Sequence, residues 1–104
     1  MSESITAETN DVTETETTVR QVRSAAEIMA AAEALVFVSD EPISAKTIAE
    51  IIGEDKDTVL AALEELKKEY EERQGGLQLR EIAGGWQIAT RTELHEDVRK
   101  YLKT

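Results

Sequence analysis

Few residues of this 104-residue chain are of a type that does chemistry. His95 is the only histidine, and it stands beside Glu96 and Asp97. An imidazole base oriented by a carboxylate is one arrangement for general acid–base work. Catalysis needs more than that, and the sequence offers no second histidine, no cysteine and no glycine-rich phosphate loop. His95 is therefore read as an exposed residue of a polar helix. The acidic groups Asp55/Asp57, Glu64–Glu65 and Glu71–Glu72 supply hard oxygen ligands, yet they lack the alternating ligand spacing of a calcium loop. They read as surface. Trp86 offers a ring for stacking on a ligand, but its period-two spacing with Ile88 is that of a hairpin's anchor into a core. The expectation is no catalytic residue, no metal site and no cofactor: this chain is not an enzyme.

The charge balance narrows the partners. Asp and Glu number 22 against 12 Lys and Arg, a formal net of −10. Such a surface repels phosphates unless its cations gather locally. Over residues 55–73, the cations Lys56, Lys67, Lys68 and Arg73 are outnumbered by Asp55, Asp57, Glu64, Glu65, Glu69, Glu71 and Glu72. A helix that reads bases needs Arg, Lys, Asn or Gln toward the groove in its first turns, and this stretch has none of Arg, Asn or Gln there. Arg80 and Arg91 flank Glu81, and the tip Ala83–Gly84–Gly85 is neutral. Direct nucleic-acid binding is not expected, so a DNA-binding transcription regulator is the alternative reading. No run of 18 apolar residues and no basic-then-apolar leader occurs, which predicts no membrane span and a cytoplasmic protein. The lack of cysteine agrees with a reducing compartment.

These residues need elements to hold them. Residues 1–24, with threonine at 6, 9, 13, 15, 17 and 18 among five acids, have too little apolar surface to offset ordering entropy. They read as a disordered tail, either a regulatory arm or a variable leader. From Ala25 to Thr104 the pattern is that of one domain. Ile28, Ala31, Ala32, Leu35 and Val36 form one apolar helical face, while Met29, Ala30, Ala34, Phe37 and Val38 make the other side apolar as well. Only Glu27 and Glu33 are charged there. Such a helix is covered on more than one side, either by a partner or by tight packing of its alanines in a core. Pro42 ends it.

A short second helix follows, capped by Ser44 and closed by Gly53, with Ile48, Ala49, Ile51 and Ile52 inward. Asp55 or Asp57 caps a third, whose stripe is Val59, Ala62, Leu63, Leu66 and Tyr70, and which Gly75–Gly76 stops. Leu77 and Leu79, then Trp86, Ile88 and Thr90, alternate as two strands about a Gly84–Gly85 type I′ turn. Thr92 caps a last helix with Leu94, Val98, Tyr101 and Leu102 on its apolar side.

Three helices, a hairpin and a helix, with a tight second-to-third helix pair, predict a mainly α protein with a small β-hairpin (α+β): a winged helix with a helix-turn-helix core. So small a domain gains from dimerising. The two-sided apolar first helix places the expected dimer or partner surface at Met29, Glu33, Val36 and Phe37.

The run Glu33-Ala34-Leu35-Val36-Phe37-Val38-Ser39-Asp40-Glu41-Pro42-Ile43-Ser44 resembles the first helix and exit of segregation and condensation protein B. So do Glu64-Glu65-Leu66 through Tyr70-Glu71, and above all Ile82-Ala83-Gly84-Gly85-Trp86-Gln87-Ile88 with Thr90-Arg91 and Val98-Arg99 beyond. The resemblance covers about residues 26–103. It implies a non-catalytic adaptor in bacterial chromosome condensation and segregation, a homodimer that binds the kleisin subunit of the SMC complex and, through it, the SMC ATPase. The family carries two winged helices in tandem, of which only the first is complete here, and part of the kleisin surface belongs to the second.

Overall fold

The computed structural model describes residues 22–103. All but the end of the segment expected as a tail, and Thr104, lie outside the described residues. The order is α1 (Ala25–Val38), α2 (Ala45–Ile52), α3 (Lys56–Arg73), β1 (Leu77–Ile82), β2 (Gly85–Thr90), a 3-10 turn (Thr92–Leu94) and α4 (His95–Lys103). It is the winged-helix arrangement that the pattern predicts.

Local chemistry sets each boundary. Ser24 and Glu27 form a capping box: the Glu27 N–H donates to Ser24 Oγ at 3.1 Å, and the Ser24 N–H donates to Glu27 Oε1 at 2.8 Å. Two of the orphan donors of a helix start are thereby satisfied. Arg23 reaches across to donate to the Ile52 carbonyl at 2.8 Å, a cation at the C-terminal end of α2. Ser44 caps α2 through the Thr47 N–H at 3.0 Å, and Gly53 takes the left-handed conformation, φ 73°, that closes it. Of the two candidate caps for α3, Asp55 holds the position, accepting from the Asp57 N–H at 3.1 Å.

The core is one cluster: Ala32, Val36, Ala45, Ile48, Ala49, Val59, Leu63, Leu66, Leu79 and Trp86. Trp86 is fully buried, so its ring is the anchor that fixes the hairpin and offers no face to a ligand. A third short segment joins the hairpin. Ile43 exchanges two backbone hydrogen bonds with Trp86, at 3.0 and 2.8 Å, on the edge of β2 that β1 leaves open. The loop that leaves α1 is thereby stitched to the wing.

Four expectations change. Ile51 is 60% exposed, because at 100° per residue it falls outside the arc of Ala45, Ile48 and Ala49. The third helix ends before the glycine pair, with Gln74 itself in the left-handed region at φ 54°. The hairpin pairs Ile82 with Gly85, so its two turn residues are Ala83 (φ 52°) and Gly84 (φ 79°), one place earlier than Gly84–Gly85. Gly85 serves a different need, since a Cβ there would stand 2.8 Å from the Pro42 carbonyl carbon. Thr92 opens the 3-10 turn and makes no side-chain cap.

Candidate protein-binding surface

The groups first suspected of chemistry do not converge. His95, Glu96 and Asp97 lie exposed on α4, where Arg99 pairs with Glu96. Among the described residues no group of three or more His, Asp or Glu is disposed to hold a metal ion. Glu64, Glu65, Glu71 and Glu72 are exposed along α3, and Glu81, Ala83 and Gly84 at the wing tip. A nucleic-acid reader would need cations on those two elements. Glu93 is held below the usual carboxylate range, first by its own backbone N–H and then by the Arg91 guanidinium at 3.4 Å.

What the surface does offer is apolar. Along α1, Ile28, Ala32 and Val36 face inward, and Met29 and Leu35 pack at the edge of the core. The opposite side is formed by Ala30, Ala34, Phe37 and Val38, all exposed, with Phe37 at 70% and Val38 at 69%. Between Glu27 and Asp40 the single charge on this helix is Glu33. That carboxylate accepts a hydrogen bond from Tyr70 Oη at 2.6 Å, which ties α1 to α3. The Arg73 guanidinium lies 5.5 Å from the Tyr70 ring centre. Burial, and then the Glu33 carboxylate, push the Tyr70 hydroxyl up to about 12.

The four residues placed at a partner surface from sequence thus occupy different positions. Phe37 points outward. Val36 is 2% exposed and belongs to the core, being one and two helical turns beyond Ala32 and Ile28 on the inward arc. Met29 is half-buried, and Glu33 is engaged by Tyr70. Ala30 and Ala34 complete the outward face, and the sequence signal for them was their place on the second apolar side of α1.

Met29 borders a second apolar surface. Near their N-terminal ends α1 and α3 leave an open groove of about 580 Å³, floored by Ala25, Ala26, Ile28, Met29, Ala61 and Ala62 and rimmed by Asp57, Thr58 and Glu65. Further exposed apolar side chains are Leu94, at the end of the 3-10 turn, and Tyr101 and Leu102 on α4.

Comparison with known proteins places these surfaces in context. Residues 30–104 match the family model for the segregation and condensation complex subunit ScpB. Segregation and condensation protein B of Symbiobacterium thermophilum is 42% identical over 71 residues, 68% of this chain and 32% of that protein. The protein of the same name from Desulforamulus reducens is 44% identical over 63 residues, 61% of this chain and 35% of its own length. The chain spans about a third of the curated relatives it matches. Among solved structures, ScpB from Mycobacterium tuberculosis superposes with a TM-score of 0.76 at 30% identity, over 79% of this chain and 51% of that one. A dimer of an ScpB N-terminal domain complexed with an ScpA peptide superposes with a TM-score of 0.65 at 31% identity, over 70% of this chain and 91% of that one.

Proposed function

The chain belongs to the family of segregation and condensation complex subunits ScpB, and from that premise we propose that it is a non-catalytic adaptor in bacterial chromosome condensation and segregation. It homodimerises and binds the kleisin subunit, and through the kleisin it joins the SMC ATPase at the nucleoid. The observation that carries this reading is the outward face of α1. Two copies of a chain of net charge −10 repel each other. An apolar patch without charge is where they can meet, and the exposed Ala30, Ala34, Phe37 and Val38 offer one. Small residues at Ala30 and Ala34 let two helices approach closely, while Phe37 supplies the large buried area that dominates interface energetics. Met29 and Glu33 border this face, and Val36 supports it from beneath.

The solved relative that is a dimer of N-terminal domains with an ScpA peptide supports both halves of the reading. Because 91% of that chain is matched here, the second winged helix is not required for either contact in the relative. The same is proposed for this domain.

The test is sedimentation equilibrium of the purified chain, alone and with the kleisin subunit of the same organism. The expected result is a dimer that takes up the kleisin. A monomer that ignores the kleisin would overturn the reading. A DNA duplex titrated at low salt, where electrostatic binding is strongest, is expected to stay free. Salt-sensitive binding at low micromolar protein would favour the transcription-regulator alternative.

A further inference from the structure

We infer that the cleft between the C-terminal half of α3 and β1 is a binding site for a small phosphate-bearing ligand. This goes beyond the adaptor reading and does not depend on it. The cleft encloses about 390 Å³, a size found among small-molecule sites. One wall is α3, where Lys67, Tyr70 and Glu71 fall at i, i+3 and i+4 on one face. The other is β1, where Gln78 and Arg80, two residues apart, share a side of the strand. Arg91, just past β2, and Glu93 in the 3-10 turn close the end.

The charge of this cleft runs against that of the chain. Three cations, Lys67, Arg80 and Arg91, meet two carboxylates there, in a chain with 22 acids against 12 bases. By contrast, the groove of Ala25 and Ala61 carries Asp57 and Glu65, and the hollow beneath the wing tip carries Asp40 and Glu41. Of the two carboxylates in the cleft, Glu93 is already held by Arg91 and by its own backbone N–H. Glu71 stands one turn beyond Lys67, and among the described residues the two form no ion pair.

The cations keep donors to spare. Lys67 is half-buried, and among the described residues its amine has no hydrogen bond or ion pair. A charge drawn partly out of water favours an opposite charge beside it. Arg80 and Arg91 each engage one nitrogen, with Gln87 and Glu93, at 3.4 Å. A guanidinium has five N–H donors in a fixed fork. A phosphate group presents oxygens in several directions to such forks and to a lysine amine, whereas a planar carboxylate presents two. Acids farther away than about 8 Å are screened at physiological salt, so the cations lining the cleft decide what enters. A duplex lays many phosphates along a face, and outside the cleft α3 exposes Glu64, Glu65 and Glu72.

The experiment is calorimetric titration of pyrophosphate into the full chain at low salt: wild type, Lys67→Gln, Arg80→Gln and Lys68→Gln. Circular dichroism records the fold of each. Lys68 is exposed on α3 and does not line the cleft. Wild type is expected to bind pyrophosphate saturably, one per chain. Lys67→Gln and Arg80→Gln are each expected to weaken binding about tenfold, and Lys68→Gln by less than about twofold. Because Arg80 is exposed, Arg80→Gln keeps the test decisive where Lys67→Gln perturbs folding. Citrate, an anion of carboxylates, is expected to bind more weakly than pyrophosphate. Heat without saturation in wild type, or an equal loss in Lys68→Gln, would leave only diffuse surface charge and overturn the site. Tighter binding of citrate would overturn the phosphate assignment. A DNA duplex that displaces pyrophosphate would give the cations to nucleic acid, and that too overturns the proposal. Dimer mass and kleisin uptake judge the adaptor reading separately.

Discussion

The outward face of α1 and the groove beside it are both apolar and uncovered, and they differ in their surroundings. Ala30, Ala34, Phe37 and Val38 lie on a stretch whose one charge, Glu33, is engaged by Tyr70. Ala25, Ala26, Ile28 and Met29 share their groove with Asp57 and Glu65. Apolar area sets the gross attraction of each surface, while the charges around it choose what is attracted. Of the two, only the groove has acids, Asp57 and Glu65, along its rim.

The largest expected effect separates two neighbours on α1. Val36→Asp places an unpaired carboxylate where exposure is 2%, and is expected to cost about 4 kcal/mol or more, enough to unfold so small a domain. Thermal melting followed by circular dichroism checks it. A folded Val36→Asp domain would mean that α1 is turned the other way and that the inward and outward faces are exchanged.

Next comes Phe37→Glu, one residue on. The melting temperature of the dissociated protein is expected to stay within a few degrees of an equally dilute wild type, because the ring is already solvated in the single domain. Dimerisation is expected to weaken about a hundredfold or more in sedimentation equilibrium, as two rings leave a symmetric contact and two charges enter it. An undisturbed dimer would take the outward face out of the interface.

Gly85→Ala tests the wing without touching either surface. Its Cβ must displace the Pro42 backbone from 2.8 Å, an expected cost of about 1–3 kcal/mol in chemical denaturation. Dimer mass and kleisin affinity, measured below the unfolding transition, are expected to hold.

The smallest effect concerns the hydrogen bond at the edge of the outward face, from Tyr70 to Glu33. The Tyr70 hydroxyl is pushed up to about 12 by burial and by Glu33, above its ordinary value near 10. A group whose pKa is raised on folding binds its proton more tightly in the folded state. Its contribution is therefore complete below about pH 10 and is lost as pH rises from there to about 12. Absorbance titration of a Tyr101→Phe protein is expected to show tyrosinate forming near the upper end of that window, and Glu33→Gln to lower the midpoint. A midpoint near 10 with Glu33 intact would mean that the hydroxyl is neither buried nor bonded to the carboxylate.

Most of the fold is legible because it is local. Ser44, Asp55 and Gly53 are caps whose side-chain or backbone chemistry acts within three residues, and the stripe Val59, Leu63, Leu66 is a period along one helix. The capping box of Ser24 and Glu27 has the required spacing too, but the reading of residues 1–24 as a tail passes over it. Ile51 and Thr92 are local misses, whereas the error in the turn lies where two segments meet. Gly84–Gly85 is the favoured dipeptide for a two-residue turn, but the register is set by Trp86 entering the core and by Ile43 pairing with it. Those contacts move the turn to Ala83–Gly84 and leave Gly85 to clear Pro42. The Glu33–Tyr70 bond spans 37 positions, and no periodicity announces it.

The candidate surface shows the same division. Composition and periodicity by themselves determined that α1 is apolar on two sides, that acids outnumber bases by 22 to 12, and that the element order is that of a winged helix. These follow from side-chain chemistry and the 3.6-residue repeat, which every position carries with it. Only the tertiary structure decided that Val36 belongs to the core while Phe37 faces outward. It alone tied Glu33 to Tyr70, and it brought Asp57 and Glu65 of α3 beside the alanines of α1. The reason is geometric: which apolar side is covered, and which charges border the other, depends on helices that the chain brings together from some thirty residues apart.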